Sequence, residues 1–568
     1  SEVFVSKSDT YNSPLGKVGE HIATELPKRK DEVNVLLWGV GNHGGGPSRK
    51  DIKTVEDFIA SDSGFEGIQS DPDTFFREAS VRNKNVPVFA EHLGTVFPGI
   101  FTSQMRVKQK YRELETELFA VEKLISVAQI QGKLPKTESV GLQSAQEDLL
   151  FCQFHDILPG TGIQPVETSA LTKLSHGLEE VVRERARGYF ALIRAEKSAE
   201  HGSYPVFVFN PNPYQVKTVV ECEIQLADQN WSETESTFFQ VVTGNQKLPS
   251  QIEKEESSLN LDWRKRVCFT ATLQPMQMNR FDLYPHTRNK RAYEQRGVGK
   301  AFCFSNKYYD LRIGGESGLV ESYRFAGKEM LRAPICPVVT RDSEDSWIMR
   351  ADQYAAQQEI VGYFQPFVNR EFCGTKETLP LVHIIESGDV RTVVETSLSC
   401  QDSILRVRYS LYRELPYFDM DIEIHWRRKN GCLKVLFDTF SGRPIGETAF
   451  GHEYLRPDGS EQNIQRWIAM RGETETFAVF NRGSYGASCT DNRISQTLLR
   501  SPAYSGHSIL NRQILPEDRI ITHMDNGVRT AILRIQAGNG TLFGRLSTLA
   551  GIYSWTPYAL AAFPGGSG

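Results

Sequence analysis

The segment Phe151-Cys152-Gln153-Phe154-His155-Asp156-Ile157-Leu158-Pro159-Gly160 sets an imidazole beside a carboxylate. A neutral imidazole nitrogen is a zinc ligand, and a neighbouring carboxylate can orient the ring or accept hydrogen bonds from a polar ligand. The pair also fits a plainer role, a buried histidine capped by its neighbour. A second candidate stretch is Leu36-Leu37-Trp38-Gly39-Val40-Gly41-Asn42-His43-Gly44-Gly45-Gly46-Pro47-Ser48. Its glycines let backbone come close to a ligand, with Asn42 and His43 as polar contacts. It lacks the Gly-Lys-Ser/Thr ending of a phosphate-binding loop. A tight turn into a helix over 51–60 is the alternative.

Positioning these groups falls to the flanking elements. Leu142, Ala145, Leu149, Leu150 and Phe154 predict a helix that carries His155 and Asp156 to its end, where Pro159-Gly160 stops it. Leu171, Leu174, Leu178, Val181 and Val182 predict the helix that follows, and Tyr111, Leu114, Leu118, Val121 and Ile125 the one before. Short connections between the three imply an antiparallel three-helix bundle. Upstream, residues 17–27 read as a short amphipathic helix, and Val33 to Trp38 as a buried parallel strand with the Gly-rich loop at its C-terminal end. Residues 61–100 read as irregular, with Asp71-Pro72-Asp73 as a turn. After Ser203 the chain turns to short strands, clearest where Met420, Ile422, Ile424 and Trp426 alternate with polar neighbours.

The expected fold class is therefore multidomain α and β. Residues 1–100 form the C-terminal part of an α/β, barrel-like domain, and 101–200 a three-helix bundle carrying the His-Asp motif. A small β-domain over 201–290 follows, then a large antiparallel β-sandwich over 291–568. Arg288-Asn289-Lys290-Arg291 reads as a solvated linker and the last six residues as a tail.

Among 568 residues, 65 basic groups face 70 acidic ones, with no long basic run. That excludes the electrostatic footprint of a nucleic-acid or anionic-membrane binder and favours a neutral or small partner. Nine cysteines, odd in number and without a Cys-x-x-Cys pair, argue against a disulfide framework and a Cys-rich zinc site. A cytoplasmic setting is expected, since no apolar run reaches membrane-spanning length and no signal-peptide pattern opens the chain. Assembly into a homo-oligomer is compatible with the sequence.

The two candidate stretches, in this order, resemble the bacterial branch of family 38 glycoside hydrolases, the retaining α-mannosidases. A third match lies between them, Phe97-Pro98-Gly99-Ile100-Phe101-Thr102-Ser103-Gln104, followed by the charged helix Met105 to Ala120. Weaker likeness continues in Gln465-Arg466-Trp467 and in Thr497-Leu498-Leu499-Arg500-Ser501-Pro502. The resemblance implies one zinc, held by a His-x-Asp pair, a further Asp that doubles as nucleophile, and the His of a Gln-Phe-His-Asp motif. Here that motif is Gln153 to Asp156, so zinc binding is carried onto His155, and sugar hydroxyls onto Asp156, with Asn42 and His43 as further substrate contacts. No His-x-Asp pair precedes Trp38, so the resemblance implies that the nucleophile lies upstream of this chain. The expectation is a zinc-dependent exo-α-mannosidase acting on terminal α-linked mannose of oligosaccharides, with this chain inactive by itself. The alternatives are a non-catalytic carbohydrate-binding protein and a mannosylglycerate-type hydrolase of the same family.

Overall fold

The computed structural model describes residues 15–28, 33–38, 47–61, 64, 66–83, 88, 97–257, 261–289, 297–347, 359–367, 380–507 and 521–564. It divides into two compact units, Ser1–Leu93 and Gly94–Gly568.

In the first unit, α1 (Val18–Glu25), α2 (Arg49–Ala60) and α3 (Pro72–Arg82) are helical. A capping box starts α2, Ser48 and Asp51 each accepting from the other's backbone N–H. Asp51 also accepts from the N–H groups of Gly16 and Val18, which ties the start of α1 to the start of α2. These bonds, led by the Ser48 hydroxyl, hold its carboxyl at about 2. Val18, Ile22 and Val55 form the buried core, with Leu36 and Trp38 packed against it.

Two expectations change here. Val33 to Trp38 is not a strand: the run is half-buried, Leu37 is 48% exposed, and no described strand pairs with it. An apolar run becomes a buried parallel strand only where neighbours supply the ladder. Here the Asn83 amide takes the backbone instead, accepting from Val33 N at 2.9 Å and donating to Val33 O at 2.8 Å. Asp71-Pro72 is a helix start rather than a turn, with the Asp71 carboxylate capping Thr74 N and Pro72 in the first turn, where its missing N–H costs nothing.

The second unit opens with α4 (Met105–Ile130), α5 (Val140–Cys152) and α6 (Gln164–Ile193). They share a core in which Tyr111, Leu114 and Val121 of α4 meet Ala145 and Leu149 of α5 and Leu174 and Val181 of α6. Close approach is set by Gly177, where a Cβ would fall 2.8 Å from Leu114 Cδ2. Ser139 caps α5, its hydroxyl accepting from Leu142 N at 3.2 Å. The helix ends at Cys152, so His155 and Asp156 lie in the turn beyond it and not on its last turn. Beyond the helix, the Leu158 carbonyl accepts from Lys108 of α4, which ties the turn to that helix.

From Tyr204 onward the described chain is largely antiparallel sheet. Tyr204–Phe209, Met278–Asn289, Glu235–Thr243, Gln246–Leu248 and Ala559–Ala561 form one sheet; Val216–Asn230, Asp262–Leu273 and Ser250–Glu253 form another. Val206, Val208, Val220, Val267, Phe281 and Leu283 fill the core between them. Ala559–Ala561 returns from the chain's far end to pair with Tyr204–Phe209, placing Ala561 opposite Val206. Arg288 and Asn289, read as linker, are the end of a strand and pair with Ser236 and Glu235; Lys290 and Arg291 lie outside the described residues.

A ten-stranded sheet, centred on Ser403–Tyr412, Phe418–Trp426 and Gly527–Asn539, shares the largest core with a six-stranded and a four-stranded sheet. Met420, Ile422, Ile424 and Trp426 enter that core. Alternation sends Asp419, Asp421, Glu423 and His425 to the opposite face. The coarse expectation, helices followed by antiparallel sheets, stands. No described helix is long and apolar enough to cross a membrane.

Candidate functional site

Three stretches converge beneath the His-Asp turn. The 3₁₀ turn Pro98–Phe101 leads to Gln104, which is buried in the left-handed conformation at φ 52°. A Cβ on Gly99 would lie 2.3 Å from Arg500 Nη1, and one on Gly160 would lie 2.2 Å from the Ser103 carbonyl oxygen. Gly160 also has φ 74°, a conformation other L-residues rarely adopt. Glycine at both points lets the 97–104 segment, the turn after α5 and the end of strand Arg493–Arg500 touch.

Polar bonds fix this contact. Lys108 Nζ donates to the carbonyls of Ser103 at 2.6 Å and Leu158 at 2.8 Å, while Gln104 Nε2 donates to Gly162 O at 2.8 Å. Arg500, fully buried, holds Asp342 with Nε at 2.7 Å and Nη2 at 2.9 Å, and reaches the Asp345 carbonyl at 2.7 Å. Such a bidentate pair suits a guanidinium better than an ammonium. Asp525, also buried, accepts from Met105 N at 2.9 Å, and burial pushes its carboxyl up to about 6. Burial brings the Lys108 ammonium down to about 7. Glu167 joins Arg106 at 2.9 Å and accepts from Tyr504 Oη.

On this base the candidate pair is presented outward. His155 is 78% and Asp156 55% exposed, with Nε2 and Oδ2 3.5 Å apart, so the buried, capped histidine is ruled out. The Phe154 ring lies against the imidazole at a centroid distance of 4.3 Å. Leu150, Phe151, Phe154 and Ile163, from the same stretch of chain, are each about half exposed. Cys152 is buried and its thiol pushed up to about 11, which leaves it unreactive. Gln153 donates to the Tyr111 hydroxyl and so anchors the start of the turn.

Asn42 and His43 lie outside the described residues. Among the described residues no group of three or more His, Cys, Asp and Glu is placed to hold a metal. His155 is a nitrogen donor of the kind zinc takes, and among the described residues its polar neighbour is Asp156 at 3.5 Å, so it fits as one member of a set whose other ligands come from elsewhere. Sequence reasoning had singled out Phe97 to Gln104 and Thr497 to Pro502. It missed Lys108, Asp525 and Asp342, which bond across gaps of 50, 420 and 158 positions.

The fold and site thus describe a multidomain protein in which a helical segment presents a polar pair ahead of large antiparallel sheets. Residues 95–189 match the alpha mannosidase middle domain, and residues 304–508 the glycosyl hydrolases family 38 C-terminal domain. The chain belongs to glycoside hydrolase family 38 and carries its middle and C-terminal domains.

It is 24% identical over 542 residues to Alpha-mannosidase G of Dictyostelium discoideum, covering 87% of this chain and 47% of that protein. It is 27% identical over 167 residues to human Alpha-mannosidase 2C1, covering 29% of this chain and 16% of that protein. It therefore spans about half the length of Alpha-mannosidase G. Its fold is similar to that of an alpha-mannosidase from Enterococcus faecalis V583, with a TM-score of 0.69 at 14% identity over 93% of this chain and 66% of that one. A second Enterococcus faecalis protein of glycosyl hydrolase family 38 gives 0.71 at 12% identity, over 96% and 68%.

Proposed function

We propose that the whole protein is a zinc-dependent retaining exo-α-mannosidase that removes terminal α-linked mannose from oligosaccharides. The observation that carries this reading is the outward presentation of His155 and Asp156 on a turn clamped at Gly160 and Leu158 to a buried polar base. Such a base restrains the turn, and restrained groups bind and orient at lower entropic cost. His155 supplies one zinc ligand, and Asp156 accepts hydrogen bonds from hydroxyls of the terminal sugar. Zinc, when bound, polarises and positions adjacent sugar hydroxyls. Asn42 and His43 are further substrate contacts that the family likeness implies. Residues 1–100 are the C-terminal part of an α/β catalytic domain, residues 101–200 a three-helix bundle, 201–290 a small β-domain and 291–568 a large β-sandwich.

Retention requires two carboxyl groups about 5–5.5 Å apart. A catalytic zinc site takes about three protein ligands. His155 is one ligand, so this chain by itself is inactive. The test is hydrolysis of a chromogenic α-mannoside by this chain and by a version extended to the length of Alpha-mannosidase G, with added zinc and with chelator. Activity confined to the longer protein, abolished by chelator and by His155→Ala, is expected. Activity in the short chain would put the nucleophile among its own carboxylates and sink that part of the reading. A chelator-indifferent protein that binds mannose without hydrolysis would instead be a carbohydrate-binding module.

A further inference from the structure

The outer face of the ten-stranded sheet forms the floor of a groove of about 770 Å³, walled by the three-stranded sheet and by residues 552–557. Strand register lays out that floor. Glu395 stands opposite Arg408, Arg408 opposite Asp421 and Asp421 opposite Ile532. The next row is Val393, Ser410, Asp419 and Arg534. Acids and bases thus alternate along the floor, on the face that the 2.0-residue period turns away from the core.

Most of these charges are already committed. Arg408 donates to Glu395 at 2.8 Å, and Arg534 holds Asp419 at 2.7 and 2.8 Å between the rings of Tyr417 and Tyr553. Arg391 bridges floor to wall, reaching Glu253 at 2.5 Å and Glu221 at 2.7 Å. Three lining carboxylates are not committed in this way; one of them, Glu256, is exposed to solvent, and the other two stand on or beside the floor. Asp421 makes no hydrogen bond or ion pair with the described residues, although it is only partly exposed. Glu386 uses one oxygen on Lys254 N at 2.9 Å and offers the other to the groove.

The chemistry of the lining selects the ligand. A volume of about 770 Å³ lies within the range of small-molecule sites. An apolar guest would strip water from charged groups without replacing their hydrogen bonds. An anion would face eight carboxylates against six cationic side chains, and no described cluster is placed to hold a metal. A hydroxyl group both donates and accepts, so a neutral polyol satisfies alternating acids and bases at once.

We propose that this groove is a second, non-catalytic site for a neutral oligosaccharide, with Asp421 and Glu386 accepting from its hydroxyls. The ligand class rests on the glycosidase reading above; the site itself uses none of the His155 turn. Bound there, one branch of a glycan would hold the protein on its substrate while another branch is cleaved.

Ligand-observed NMR titration of the full chain with α-linked mannotriose tests this. Saturable binding is expected, weakened about tenfold or more by Asp421→Ala and by Glu386→Gln, and unchanged in His155→Ala/Asp156→Ala. Ser410→Trp, which fills the floor, should abolish it, and thermal melting of each variant identifies any that fails to fold. The proposal is overturned by absence of saturable binding, by binding that survives Ser410→Trp, by loss only in the His155/Asp156 variant, or by preference for spermine over the sugar. Because binding is read on this chain, it is separable from the hydrolysis assay. Mannoside hydrolysis by the longer protein without groove binding rejects the groove alone. Groove binding without hydrolysis rejects the glycosidase reading alone.

Discussion

Arg500 and Asp342 illustrate how much one buried pair can hold in place. Both side chains are fully buried, and the guanidinium spans Asp342 and the Asp345 carbonyl while lying under Gly99. Removing one partner leaves a buried charge without its counter-ion, which costs about 3–5 kcal/mol. Arg500→Met should therefore lower the unfolding free energy measured by urea denaturation by that amount, and Arg500→Lys should recover only part, since a single ammonium cannot reproduce the fork. Full stability in Arg500→Met would show the pair to be dispensable.

Asp525 gives a pH signature. Its surroundings are Met105 N–H, Arg529, Arg106 and Glu167, with Lys108 close enough to feel its charge. An unfolded aspartate ionises near 3.9, whereas the native carboxyl keeps its proton to about 6. The native state therefore binds the extra proton between those values, and stability falls as pH rises from about 4 to 6, by about 3 kcal/mol at most. Lys108 acts oppositely, losing its proton at about 7 in the fold against about 10.4 unfolded, so stability climbs from about pH 7 to 10. Denaturation midpoints should pass through a trough near neutrality. Asp525→Asn should flatten the acid limb and, by removing the charge that supports the Lys108 ammonium, start the basic limb at lower pH.

Among the elements, packing of α6 against α4 depends on Gly177. Helix propensity alone favours almost any other residue there, by about 1 kcal/mol for alanine. A larger side chain has no room, because even a Cβ sits 2.8 Å from Leu114 Cδ2 and 3.5 Å from the Ala145 carbonyl. Gly177→Leu should cost about 1–3 kcal/mol through overpacking, measured by thermal unfolding, and Leu114→Ala in the same chain should recover part of it.

These three helices were legible in the sequence because one apolar face repeats through Tyr111, Leu114, Leu118 and Val121. The same holds for the strand at Met420 to Trp426, where alternation has a single reading. What failed did so for local reasons. Asp71-Pro72 carries the chemistry of both a turn and a helix start, and only the residues that follow decide. Val33 to Trp38 has strand composition, but strand formation needs a partner, and no local pattern reports one. The His155 turn was found by residue type, whereas the base beneath it joins residues far apart in the chain, bonds that no periodicity records. The return of Ala559–Ala561 to Tyr204–Phe209 was hidden for the same reason.

At the scale of the whole molecule, the two units differ in what they bury. Among the described residues of Ser1–Leu93, the buried apolar core is Val18, Ile22 and Val55. In Gly94–Gly568 the largest core alone runs through three sheets and includes fully buried Trp426, Tyr323 and Phe477. Burial supplies most of the favourable free energy, about 25 cal/mol for each Å² of apolar surface. Cooperative units open in order of what each contributes. The first unit should therefore melt in its own, lower-temperature transition. Trp38 is the only tryptophan before Leu93, so its fluorescence, compared with a Trp38→Phe variant, reports that transition directly. Hydrogen exchange should agree, with amides of α1 and α2 exchanging well before those of α4 and of strand Phe418–Trp426. A single calorimetric transition in which Trp38 reports the same midpoint as the sheets would mean that the units are energetically one. Stability of the first unit would then have to come from contacts beyond its own small core.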